Sequence, residues 1–163
     1  MVVMKFGGTS VADQAAIERL MGIVARAAQS AGGATFGVIP EHLMRREVGL
    51  RSLTTFVVTE TMHERKKVMF MNADAIVTLP GGPGSLDELF EVLTWRQLGL
   101  HAKPVMLLNT KGYWTPLVDL LHHIVASGFA EPSFLDFLTV HDGVPELMDA
   151  LRQRLQPGTT ATR

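Results

Sequence analysis

The chain has 163 residues, 47% hydrophobic and 19% charged, with a formal net charge of -1; this favours one domain with a sizeable core and excludes an expanded, disordered chain. The 15 Lys+Arg against 16 Asp+Glu leave no basic excess for nucleic acid phosphates, and the lack of cysteine excludes disulfides, thiolate nucleophiles and cysteine-bound zinc. Neither a basic leader before an apolar stretch nor an apolar run of membrane-spanning length is present, so the expectation is a cytoplasmic protein with no membrane partner.

In chain order, Val2 to Phe6, Thr35 to Ile39, Thr55 to Thr59, Ala75 to Leu79, Val105 to Leu108 and Phe137 to Val140 read as short strands. Most are nearly continuous apolar runs, which suits strands covered on both faces, as in the parallel sheet of an α/β protein. Helical patterns lie between them. Thr61 and Glu64 have the spacing of a capping box ahead of a charged helix. Leu86, Leu89, Phe90 and Leu93 repeat at helical spacing before a stop at Gly99, and Leu117, Leu120, Leu121, Ile124 and Val125 do so before Gly128. Leu147, Met148, Leu151 and Leu155 form a last amphipathic helix, and residues 157–163 are expected to be a disordered tail. No linker or internal repeat divides residues 1–156, which are expected to make a single domain.

Open α/β sheets bind ligands outside the carboxyl ends of their strands, which directs attention to two segments. The first, Thr78-Leu79-Pro80-Gly81-Gly82-Pro83-Gly84-Ser85-Leu86-Asp87-Glu88, leaves a strand and opens a helix. Its glycines let a ligand approach the backbone, and the helix's first amides offer an anion site. It lacks the lysine of a Walker A loop. Taken alone, Ser85 and Glu88 read as an S-x-x-E capping box, with Glu88 a helix cap and the glycines turn residues. The second segment, Met62 to Lys67, places Arg65, Lys66 and Lys67 just beyond a strand. A solvated charged face is the commoner use of such a run; an Arg fork for a phosphate is the functional alternative. None of the six histidines has metal-site spacing.

Pro80-Gly81-Gly82-Pro83-Gly84-Ser85-Leu86-Asp87-Glu88 resembles the P-G-G-x-G-T-x-x-E motif of the LOG ("Lonely Guy") family, cytokinin riboside 5'-monophosphate phosphoribohydrolases often mislabelled lysine decarboxylases. Met62-His63-Glu64-Arg65-Lys66 resembles that family's second motif. Gly37 to Pro40, Leu93-Thr94-Trp95, Lys103-Pro104-Val105, Leu107-Leu108-Asn109, Gly112-Tyr113 and Gly128-Phe129 stand in the family's order, and the similarity runs from about Leu20 to Leu155. The resemblance implies a Rossmann-like three-layer α/β fold with a mostly parallel sheet. It also implies hydrolysis of the N-glycosidic bond of adenosine 5'-monophosphate, with or without an N6 side chain, to free base and ribose 5-phosphate. Its catalytic residues fall on Arg65 and Glu88. Substrate-binding positions fall on Glu47, Lys66, Gly81, Gly82, Pro83, Gly84, Ser85, Leu86, Asp87 and Thr94. A homodimer is implied, with AMP or N6-isopentenyl-AMP as substrate and no cofactor or metal. A carboxylate suits the oxocarbenium-like centre left as a purine departs, and Glu88, placed in the first turn of its helix, is expected to be ionised. Ser85 for the motif's Thr keeps the hydroxyl, and Asp87-Glu88 for the family's frequent Glu-Glu pair and Leu50 for a common His after Val48-Gly49 are mild departures.

The first 17 residues do not fit. Lys5-Phe6-Gly7-Gly8-Thr9-Ser10-Val11 is similar to the opening of aspartate kinases, but nothing after Asp13 continues that similarity. The start therefore reads as a junction in which the family's N-terminal strand-helix unit is missing or replaced, with Val2 to Phe6 taking the place of one strand. The alternatives to a phosphoribohydrolase are a non-catalytic nucleotide-binding module of the same fold and a remnant aspartate kinase N-terminus.

Overall fold

The computed structural model describes residues 3–6, 23–44 and 53–155. The turn at Gly7 to Ser10, the Leu20 to Gly22 match, Glu47, the Val48 to Leu50 segment and the tail 157–163 lie outside the described residues. The chain divides into two compact units, one of residues 1–8 and 73–163, the other of residues 9–72.

The first unit carries strands β1 (Val3–Phe6), β4 (Ala75–Thr78), β5 (Val105–Leu108) and β6 (Thr139–His141) in a sheet ordered β1-β4-β5-β6, with every pair parallel. All eight residues of β4 and β5 are buried, as their unbroken apolar character requires for central parallel strands. Helix α3 (Pro83–Gln97) joins β4 to β5, α4 (Thr115–Ala126) joins β5 to the turn before β6, and α5 (Val144–Leu155) comes after β6. Alternation along the strands assigns their side chains to opposite faces. Ala75, Val77, Met106 and Leu108 pack with Leu147 and Leu151 of α5, with Met148 and Leu155 at the margin. That is the stripe expected of the last helix. Successive right-handed crossovers place α3 and α4 together on the other face, where Leu93 of α3 and Val118 and Leu121 of α4 line a common cavity.

Helix ends obey local chemistry. Gly99 and Gly128 adopt left-handed φ of 72° and 77° and end α3 and α4 with the paired bonds of a Schellman turn: Gly99 to Arg96 and Leu100 to Trp95, then Gly128 to Val125 and Phe129 to Ile124. Strand boundaries shift by one residue at β2 (Phe36–Pro40) and β4 (Ala75–Thr78), and β6 differs more. Phe137 ends a 3-10 helix, Pro132–Phe137, rather than opening β6; its carbonyl accepts from the Arg96 guanidinium instead of entering a ladder.

The second unit has a helix, α1, over residues 23–30, a parallel pair of strands, β2 (Phe36–Pro40) and β3 (Thr55–Thr59), and helix α2 (Met62–Met71). The pair is started by Thr35 and Thr54, each hydroxyl accepting the other's backbone amide at 3.0 Å. The class is the expected Rossmann-like α/β, with parallel sheets and helices packed around them; among the described residues the strands form a four-stranded and a two-stranded sheet. Among the described residues no helix is long and apolar enough to cross a membrane.

Candidate active site

Parallel strands bring their carboxyl ends to one edge, so the segments after β4, β5 and β6 meet there. Asn109, directly after β5, joins two of them. Its Oδ1 accepts the Trp114 amide at 2.7 Å, its Nδ2 donates to Asp142 after β6 at 3.1 Å, and its own amide donates to the His141 carbonyl at 2.7 Å. Tyr113 reaches the third, its hydroxyl donating to the Gly81 carbonyl at 2.7 Å.

The glycine turn does not use the capping box that the spacing of Ser85 and Glu88 suggests. Gly82 is the N-cap of α3, with Pro83 at the first helical position, where a fixed φ and a missing N–H carry no cost. Ser85 is therefore already inside the helix and wholly buried, and Glu88 lies in the second turn with 5% of its surface exposed. The capping role of Glu88 is thus corrected, and so is its first-turn position: the helix's end field has largely decayed there. The hydroxyls of Thr78, at the end of β4, and Ser85, in the first turn of α3, and the indole N–H of Trp114, just before α4, are buried with no hydrogen-bond partner among the described residues. Buried polar groups are ordinarily paired, so these three residues hold polar capacity that no described residue uses. Gly81, Gly82, Gly84 and Leu86 are partly buried, Pro83 and Asp87 exposed. Thr94 is exposed, with its hydroxyl donating to the Phe90 carbonyl at 2.7 Å.

In the second unit the Thr61 and Glu64 spacing does form a cap. The Glu64 amide donates to the Thr61 hydroxyl at 3.1 Å, while the Glu64 carboxylate accepts from the Glu60 amide, one residue before the N-cap. The charge run that comes next on α2 is not the solvated face that its sequence suggests: Arg65 and Lys66 are buried, at 6% and 8% exposure, and only Lys67 of the three is exposed. The Arg65 Nε is buried with no hydrogen-bond partner among the described residues. Since a buried cation is costly unless hydrogen-bonded or paired, α2 holds a guanidinium with unused donor capacity.

The sequence pattern gives Asn109 and Tyr113 only as matched positions, without a role, and does not single out Asp142. The signal that could have found them is their place just after β5 and β6.

A family described as "Possible lysine decarboxylase" matches residues 21–151. The chain belongs to this family, the LOG family. Among its LOG relatives, "Probable cytokinin riboside 5'-monophosphate phosphoribohydrolase LOGL2" of Oryza sativa subsp. japonica is 39% identical over 91% of this chain and 58% of its own length. "Cytokinin riboside 5'-monophosphate phosphoribohydrolase LOG2" of Arabidopsis thaliana is 36% identical over 91% and 66%. The rice protein named LOGL9, also a probable phosphoribohydrolase, is 43% identical over 82% and 59%. This LOG chain therefore spans less than two thirds of the length of these relatives.

Proposed function

We propose that this chain hydrolyses the N-glycosidic bond of an adenosine 5'-monophosphate, bearing an N6 substituent or not, releasing the base and ribose 5-phosphate, and that its two units make one LOG-type domain. The observation that carries the reading is the buried Ser85 hydroxyl at the glycine turn, unpartnered among the described residues, where the N-terminus of the fifteen-residue α3 faces the loop: a helix N-terminus suits an anion, and the hydroxyl supplies one more donor. The relatives' names, cytokinin riboside 5'-monophosphate phosphoribohydrolase and its probable form, support the reading.

In this proposal Gly81 to Asp87, with Lys66, Glu47 and Thr94, bind the nucleotide. Glu88 acts as the carboxylate facing the developing oxocarbenium centre or the attacking water, and Arg65 holds the substrate through charge-assisted hydrogen bonds. The departing base takes up a proton and water adds to the anomeric carbon, so the balance needs no cofactor. A homodimer in the cytoplasm belongs to the same proposal.

Incubation with AMP and N6-isopentenyl-AMP, with the free base quantified by chromatography, tests it. Base release that is lost in Glu88→Gln, a substitution close in shape, is expected, with a fall in kcat of at least about a hundredfold for removal of a charge-stabilising group. Binding of AMP without release of base would reduce the chain to a nucleotide-binding module, and absence of both would remove the reading.

A further inference from the structure

We infer that Tyr113 is a positioning residue for the glycine turn, its phenol holding the Gly81–Gly82 peptide in one of two orientations; the inference rests on the proposed nucleotide site. A peptide flanked by two glycines rotates at little cost, because neither side has a β-carbon to restrict it. The group is planar and trans, so its carbonyl and N–H point in opposite directions, and a flip exchanges them. With the Gly81 carbonyl bonded to the Tyr113 hydroxyl at 2.7 Å, the Gly82 N–H points away from the tyrosine.

That amide matters more here than at an ordinary helix start. Gly82 is the N-cap of α3 and Pro83 is next to it, so the first helical position contributes no donor. An anion at this end meets a donor set already short by one, and a flip would turn a carbonyl toward it instead of an amide.

Tyr113 is half exposed, at 50%, so core packing does not account for its placement. Its backbone is fixed from the other side. Lys111 takes a left-handed φ of 57°, a conformation a lysine adopts rarely, and this turn comes directly after Asn109, which holds the Trp114 amide and Asp142. The Tyr113 ring stands edge-to-face against buried Trp114, with centroids 4.8 Å apart. The segment after β6 thus steadies the segment after β5, which steadies the glycine turn after β4.

The test is Tyr113→Phe, which keeps the ring and removes the hydroxyl. Two readouts are expected. In the ligand-free protein the Gly82 amide signal broadens or shifts in nitrogen–proton NMR spectra, while the melting temperature stays within about 2 °C of wild type. With AMP, KM and the dissociation constant rise about five- to tenfold, the effect of one hydrogen bond, with a smaller change in kcat; binding of adenosine, which lacks the phosphate, is unchanged. An unaltered Gly82 signal overturns the inference whatever the activity. An altered signal with unchanged AMP affinity, in a protein whose wild type binds AMP, overturns the positioning role alone. Wild type that neither binds nor cleaves AMP overturns the functional reading and the role together.

Discussion

The hydroxyl of Ser85 occupies the space where a β-carbon on Gly81 would stand. Gly81 does not owe its identity to a left-handed φ, since it is absent from the positive-φ glycines; it is glycine because α3 rises directly beneath it. The P-G-G turn is pressed onto the first turn of its own helix, and no side chain fits between them.

Gly81→Ala should therefore destabilise the protein by on the order of 1–3 kcal/mol through overpacking and displace the turn. Chemical denaturation gives the stability and AMP titration the binding. Relieving the clash with Ser85→Gly should restore part of the stability but not AMP affinity, because the hydroxyl proposed to face the ligand is then gone. Wild-type stability in Gly81→Ala would show that the turn moves aside freely.

Arg96 ties the end of α3 to two other segments. Its guanidinium donates to the Lys103 carbonyl at 2.9 Å and the Phe137 carbonyl at 3.2 Å and lies 5.3 Å from the Phe137 ring centroid. Phe137 in turn packs edge-to-face on Phe134. Arg96→Ala removes both hydrogen bonds and the ring contact and should cost about 2 kcal/mol. Arg96→Lys should recover less than half of that, since both bonds leave the one nitrogen Nη1, which lies a bond beyond the reach of a lysine, and an ammonium lacks the planar face set against the Phe137 ring. A denaturation midpoint for Arg96→Ala equal to wild type would refute the clamp.

His101 is a local acid sensor of stability. Burial lowers its pKa most; the Val92 carbonyl bond acts against this, and the charges of Arg96 and Lys103 add to the lowering. The Lys103 amide lies 3.1 Å from Nδ1 and the Val92 carbonyl 2.9 Å from Nε2, so the ring accepts at Nδ1, donates at Nε2 and is neutral. With the folded-state pKa below the unfolded value near 6.5, the unfolded chain binds the proton first. Stability is therefore full above about pH 6.5 and declines as pH falls through the folded-state pKa. Melting temperatures measured from pH 7.5 to 5 should fall more steeply for wild type than for His101→Gln; parallel curves would rule His101 out as the cause.

Features that depend on a few neighbouring residues are legible in the chain without its fold. The apolar runs of β3 and β5 end where they are expected to end, and Gly99 and Gly128 stop their helices by supplying a left-handed residue that the backbone itself bonds. Thr61 caps α2 because its hydroxyl needs only the amide three residues on. The family's two motifs are likewise contiguous, and so can be read directly. Other features exist only through long-range packing. Ser85 and Glu88 have the same spacing as Thr61 and Glu64, yet α3 already begins at Pro83 and packing buries Ser85 and Glu88 inside it, whereas Thr61 and Glu64 cap α2. The charges of Arg65 and Lys66 reveal nothing of their burial, because burial is set by what packs over a helix and not by its own sequence. The bond from Tyr113 to Gly81 crosses 32 residues and exists only because parallel pairing brings the ends of β4 and β5 side by side, a register that no local pattern encodes.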